Sequence, residues 1–125
     1  EMNTEHNKVE EITQCLSADD IAEFRSRSAE VNASAALLDY VQRIIDYTRN
    51  KDDFHFGLSP RGSVALLRSA KTWAFMCGRD HVVPEDIQTI LPSVVEHRLR
   101  AAMDEDGHTG ASLVQRLLNE VDVIE

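Results

Sequence analysis

Between positions 37 and 48 the apolar side chains recur with a single period, and that period is helical. Leu37, Tyr40, Val41, Ile44, Ile45 and Thr48 fall at i, i+3, i+4, i+7, i+8 and i+11. This spacing makes one continuous stripe on an α-helix and scatters the same side chains over both faces of a strand. A stripe this complete has to be buried, so the rest of the chain must supply surfaces that cover it. Ser34 stands where an N-cap is needed, and the polar run RNKDD ends the segment.

The covering surfaces are helical too. A first helix is expected from Ser17 to about Ser28, with Asp20 completing a capping box. Its apolar face, Ile21 and Phe24, is thin and suits the edge of a bundle. Phe54 and Phe56 are read as a short extended segment. A third helix is expected from Ser59 to Cys77, closed by Gly78. Leu66, Ala70, Trp73, Ala74 and Cys77 share one face and Val64 and Leu67 widen it, which predicts a central helix with Trp73 and Cys77 in the core. A fourth starts at Pro84 with Glu85 and Asp86 in its first turn. Ile87, Ile90, Leu91, Val94 and Val95 carry its period, and Pro92 is expected to break or kink it near Leu91. After DEDGHTG, with Asp104, Glu105 and Asp106 in a solvated loop, a last helix is expected from Gly110 to Val121 on Leu113, Leu117, Leu118 and Val121. The predicted fold is an all-α bundle of about five helices.

Several classes of chemistry are excluded by what the sequence lacks. The net charge is −9, from 22 acidic and 13 basic residues, ten of the latter arginine. The cations form no evident stripe, so neither nucleic acid nor a membrane surface is expected as a partner. No apolar run is long enough to span a bilayer and the N-terminus is too polar for a signal peptide. With Cys15 and Cys77 lying 62 positions apart and no CxxC, the chain reads as reduced and cytoplasmic. His6, His55, His81, His97 and His108 have no ligand spacing, so no metal site is expected. Gly57 and Gly62 have the outer spacing of a phosphate-binding P-loop, but Ser63 and Val64 replace its Lys and Ser/Thr.

One residue does not fit its own helix. In GLSPRGSVALL, Ser59 is a good N-cap and Pro60 a good first residue, yet Arg61 puts a full positive charge where the helix dipole is already positive. That is unfavourable by about 0.3–1 kcal/mol. The placement becomes favourable when an anion arrives, because first-turn N–H groups and a guanidinium attract phosphate together. An ordinary surface arginine, or one paired with Asp52 or Asp53, is the alternative. Arg68, two turns along, is either a second contact or a solvated flank.

The run from Gly57 to Leu99 resembles the C-terminal lid of MoxR-type AAA+ ATPases. The likeness rests on Gly57, Ser59, Pro60 and Arg61, on Gly78, Arg79, Asp80, Val82, Pro84 and Asp86, on His97 and Arg98, and on Thr48 and Arg49 upstream. It extends over about residues 17 to 121. Leu58 and Gly62 depart from the small residues usual there. The resemblance implies that residues 17–125 are the lid and 1–16 a polar segment or linker from an ATPase core absent from this chain.

It further implies that Arg61 is the sensor 2 arginine, reaching the γ-phosphate of ATP; from their places on the same helix, Ser59 and Arg68 are the accompanying candidate nucleotide-binding residues. ATP and Mg²⁺ would be held mainly by the core, so this chain alone should not hydrolyse ATP. Also implied are a homo-oligomeric ring, a hexamer in the whole enzyme, chaperone-like remodelling, and a von Willebrand factor A-domain partner. Arg79 and Asp80 are expected to hold the turn between the third and fourth helices, Glu85 and Asp86 to act as first-turn acids, and His97 and Arg98 to be structural, the alternative for the last two being contact with an adjoining subunit or core. The competing reading is an acidic helical protein-interaction module, possibly histone-fold-like in its long central helix followed by VxPEDI.

Overall fold

A computed structural model describes residues 11–50, 58–103 and 110–123, with side chains omitted for 95–103 and 110–113. Among these residues the fold is all-α. Its five helices are α1 (Ala18–Ala29), α2 (Ala35–Asn50), α3 (Pro60–Met76), α4 (Pro84–Met103) and α5 (Gly110–Glu120). The expected segment at Phe54 and Phe56 and the expected loop at Asp104–Asp106 lie outside the described residues.

The helix starts follow their caps. Ser17 and Asp20 form a reciprocal capping box, Ser17 N–H donating to the Asp20 carboxylate at 2.9 Å and Asp20 N–H to Ser17 Oγ at 3.1 Å. The backbone bond from Ser17, then its hydroxyl, holds the Asp20 carboxyl below its ordinary pKa. Ser34 Oγ accepts from Leu37 N–H at 3.1 Å. At the far end of α3, Gly78 takes φ 82°, and Gly78 and Arg79 N–H groups donate to Phe75 and Ala74 carbonyls at 2.9 Å each. This pair of bonds is the Schellman arrangement, which needs the left-handed conformation that glycine adopts without strain.

The core forms where α2, α3, α4 and α5 meet. Tyr40 and Ile44 are fully buried, as the period of α2 requires, and Leu66, Ile87, Leu91 and Leu117 from the other three helices are fully buried with them. α3 contributes a narrower stripe than its sequence suggests: Gly62, Leu66, Ala70 and Ala74, every fourth residue. Three of the four are small, so neighbouring helices approach the α3 backbone closely. The expected broad inner face is corrected accordingly. Trp73 is 38% exposed, Val64 is exposed, and Cys77, like Cys15, is a free exposed thiol. Cys77 caps the helix beyond its last buried residue, Ala74, where no described element covers it.

Pro92 does not break α4, which continues to Met103. An internal proline costs about 3 kcal/mol in a helix. Burial of Ile87, Ile90 and Leu91 just before it offsets that cost through tertiary packing, which routinely overrides local propensity.

α1 packs against α3 alone among the described helices, the edge position its thin face predicts. Phe24 and Phe75 rings lie 6.1 Å apart, and the Arg27 guanidinium sits 5.2 Å above the Phe75 ring. A short parallel bridge stitches the α1–α2 turn to the α3–α4 turn: Asn32 N–H donates to Asp80 O and Val82 N–H to Asn32 O, each at 2.9 Å. Arg43 on α2 donates to the Asp122 and Val123 carbonyls and stacks on Tyr40, and Tyr47 donates to Glu120. These contacts bind the C-terminal end of α5 to α2.

Candidate functional site

The site grows from the start of α3. Ser59 Oγ accepts from Gly62 N–H at 3.1 Å, and Pro60 occupies the first helical position. Arg61 follows, exposed, in a first turn that contains no acidic residue. Among the described residues no carboxylate lies within ion-pair distance of Arg61; Asp52 and Asp53 lie outside them. A groove of about 530 Å³ runs along the helix here, lined by Pro60, Arg61, Val64, Ala65, Arg68 and Ser69. Arg61 and Arg68 thus border one concavity, separated by roughly 10 Å of helix rise. The lining includes two guanidiniums and no carboxylate. Such a set suits phosphate oxygens and supplies no anionic ligand for a divalent cation.

Thr48 and Arg49, at the end of α2, fix where this helix begins. The Thr48 hydroxyl, fully buried, donates to Ile45 O at 2.7 Å and accepts from Leu58 N–H at 3.1 Å. Arg49 Nε donates to Leu58 O at 3.1 Å. Both polar groups of the Leu58 backbone are therefore clamped from another helix, one residue before the cap, while the Leu58 side chain is buried in the core. Replacing Thr48 with valine keeps the shape and removes the acceptor. A buried N–H left unpaired costs about 1–3 kcal/mol. Thr48→Val should lower stability by that amount in urea denaturation and speed amide hydrogen exchange at Leu58; unchanged exchange there would contradict the clamp.

The α3–α4 turn is held as expected by Arg79, and by Asp86 rather than by the Asp80 side chain. Asp86 is 2% exposed, is ion-paired to Arg79 and accepts from Val83 N–H at 2.9 Å, capping α4. Asp80 contributes its backbone carbonyl to Asn32, while its exposed carboxylate meets His81 Nδ1 at 2.9 Å. That contact, chiefly the hydrogen bond, holds the Asp80 carboxyl below its ordinary pKa. Glu85 is an exposed first-turn residue. The side chains of His97 and Arg98 lie outside those described.

With this geometry in view, the comparisons are consistent. A sequence model of the AAA lid domain matches residues 46–117, more than half of the chain and the whole of the Arg61 region. The chain is similar to chaperone MoxR1 of Mycobacterium tuberculosis, with 33% identity over 73% of this chain and 26% of that protein. It is also similar to YeaC of Bacillus subtilis, an uncharacterized protein, with 27% identity over 92% of this chain and 37% of that one. A crystal structure of a candidate ATPase from Cytophaga hutchinsonii superposes with a TM-score of 0.73 at 25% identity, over 86% of this chain and 36% of that chain. The chain spans between a quarter and two fifths of the length of these relatives. Among the described residues no helix is long and apolar enough to cross a membrane. Of the two readings of the sequence, these matches support the lid rather than the histone-like module. The chain belongs to the AAA lid domain family, as a lid of the MoxR type.

Proposed function

We propose that this chain is the lid of a longer cytoplasmic AAA+ enzyme and that Arg61 is its sensor 2 residue, directed at the phosphates of ATP held on a core outside this chain. The observation that carries the proposal is Arg61 itself: an exposed guanidinium without a carboxylate partner among the described residues, set in the first turn of a capped helix. ATP brings the terminal phosphoryl group whose bond to the leaving oxygen is broken. Toward it, Arg61 offers two N–H donors and a fixed positive charge, together with the N–H groups of the first turn. Ser59 keeps that turn wound, and Arg68 supplies a second cation along the same groove.

Charge on the phosphoryl oxygens grows toward the transition state, and a donor already in place stabilises it without reorganisation. Mg²⁺ would be bound by the core, since no carboxylate lines the Arg61 groove. Loss of the terminal phosphate removes the anchor of Arg61 and frees the lid to rotate, a nucleotide-biased two-state device. In a homo-oligomeric, hexameric ring, that rotation would drive chaperone-like remodelling, with a von Willebrand factor A-domain protein as partner.

The test is Arg61→Ala in the full-length enzyme. ATP turnover should fall about 10²–10³-fold, and Arg61→Lys should recover only part of it because the two-pronged contact is lost. In the 125-residue chain, Arg61→Ala should leave unfolding free energy within about 0.5 kcal/mol of the parent. Parental turnover by the alanine variant would remove the assignment.

A further inference from the structure

The outward side of α3 and the groove it forms with α1 are unusual for this chain. α3 carries Arg61, Arg68 and Lys71 and no acidic residue, although the whole chain has a net charge of −9. Arg68 and Lys71 meet Arg25 of α1 around a groove of about 420 Å³, lined otherwise by Ser28, Ala29 and Thr72. None of the three cations forms an ion pair among the described residues. Next to it, sharing Arg25, Ser28 and Thr72, lies a larger groove of about 700 Å³ whose apolar walls are Leu16, Ile21, Phe24, Phe75 and Met76. Met76 is 72% exposed, and Leu16, Ile21 and Phe24 are all more than 40% exposed.

Two features of this face point to an occupant. Apolar side chains gathered in one groove and left to water mark an interaction site. Three cations converging without a counter-charge among the described residues repel one another until carboxylates enter between them. A free phosphate would satisfy the cations and leave Ile21, Phe24 and Met76 wet. A neutral apolar segment would cover those side chains and leave the cations unpaired. An occupant with both characters satisfies both grooves. The face is a channel between two helices whose α3 lining runs from Arg68 to Met76, about 12 Å by helix rise, room for two turns of a third helix. At physiological ionic strength charges beyond about 8 Å are screened, so an approaching carboxylate responds to the local cations more than to the chain's total charge.

We infer that the α1–α3 face docks an acidic amphipathic helix of a partner protein, with its apolar stripe on Phe24, Phe75 and Met76 and its carboxylates on Arg25, Arg68 and Lys71. This inference does not depend on the role proposed for Arg61; Arg68 borders both grooves, and the variants that test the docking face leave Arg68 unchanged. Selection of random 16-residue peptides displayed on phage against the 125-residue chain tests it. The enriched peptides should carry excess Asp and Glu beside apolar residues at i, i+3 and i+4 spacing. Their affinity should fall at least tenfold for the double variant R25E/K71E and, separately, for Phe24→Ser, with circular dichroism and thermal melting showing that both variants fold.

Enriched peptides that are neutral or basic, or that bind the charge-reversed variant as well as the parent, would overturn the inference. So would displacement of the peptides by pyrophosphate with no loss on Phe24→Ser, which would mean a simple anion site. Concentration-dependent dimerisation abolished by R25E/K71E would overturn it as well, making the occupant a second copy of the chain.

Discussion

Leu66→Ala should lower the free energy of unfolding by about 3–4 kcal/mol, enough to leave a domain of this size marginal or unfolded. Leu66 is completely buried and stands between Gly62 and Ala70 on the stripe by which α3 meets its neighbours. Those flanking positions are too small to swell into the space, so truncation adds a persistent cavity to the lost transfer energy. Trp73 provides the contrast. It is the larger side chain, yet 38% of its surface stays in water, so Trp73→Ala should cost only about 1–2 kcal/mol. Urea denaturation of the two variants checks the order; a larger loss at Trp73 than at Leu66 would mean that α3 presents its other face to the core.

The second large effect is expected at the Arg79–Asp86 pair, and it should be asymmetric. Arg79→Met leaves the Asp86 carboxylate buried without its cation, and removing one partner of a buried pair typically costs 3–5 kcal/mol. The side chains of Arg79 and Asp86 are 32% and 3% exposed. Asp86→Ala therefore strands a cation that can still reach water. It also removes the acceptor for Val83 N–H, so about 2 kcal/mol should be lost through the cap and the pair together. Chemical denaturation of both single variants and of the double variant measures this. The double variant should be more stable than Arg79→Met alone, because no charge is then left buried. Equal losses in the two single variants would contradict the asymmetry, and a double-variant loss equal to the sum of the two would show that the pair contributes nothing of its own.

The helix boundaries were legible because they are set by residues adjacent in sequence. Ser17 with Asp20, Ser34, Ser59 with Pro60, and Gly78 each do locally what their chemistry predicts. The α2 stripe was legible for the same reason, since only one of its faces is apolar. α3 was not, because it is apolar on two sides. Leu66, Ala70 and Ala74 face the core while Val64, Phe75 and Met76 line grooves at the surface, and periodicity alone does not say which side is inward. Size does: the small residues at four-residue intervals mark the close contact. Of the break or kink expected at Pro92, the break does not occur, because the cost of the proline is local and its compensation, the burial of Ile87, Ile90 and Leu91, is tertiary. At the candidate site Arg61 announced itself by violating the rule for first turns. Thr48 and Arg49 gave no such sign, since their partner is the backbone of Leu58, and backbone bonds between distant segments leave no trace in side-chain pattern. The cationic groove was hidden by the same kind of averaging. Arg25, Arg68 and Lys71 are far apart in a chain whose overall charge is negative, and only the α1–α3 contact gathers them.

The grip of Thr48 and Arg49 on one peptide has a mechanical meaning. A side chain mounted three residues beyond that peptide cannot slide or swivel on a slack tether. The same helix that grips this peptide carries Tyr40 and Ile44 at the centre of the bundle, so a pull on Arg61 would reach the core through α2. Under the role proposed for Arg61, a sub-ångström change at the rim would turn the domain as a stiff lever rather than bend it.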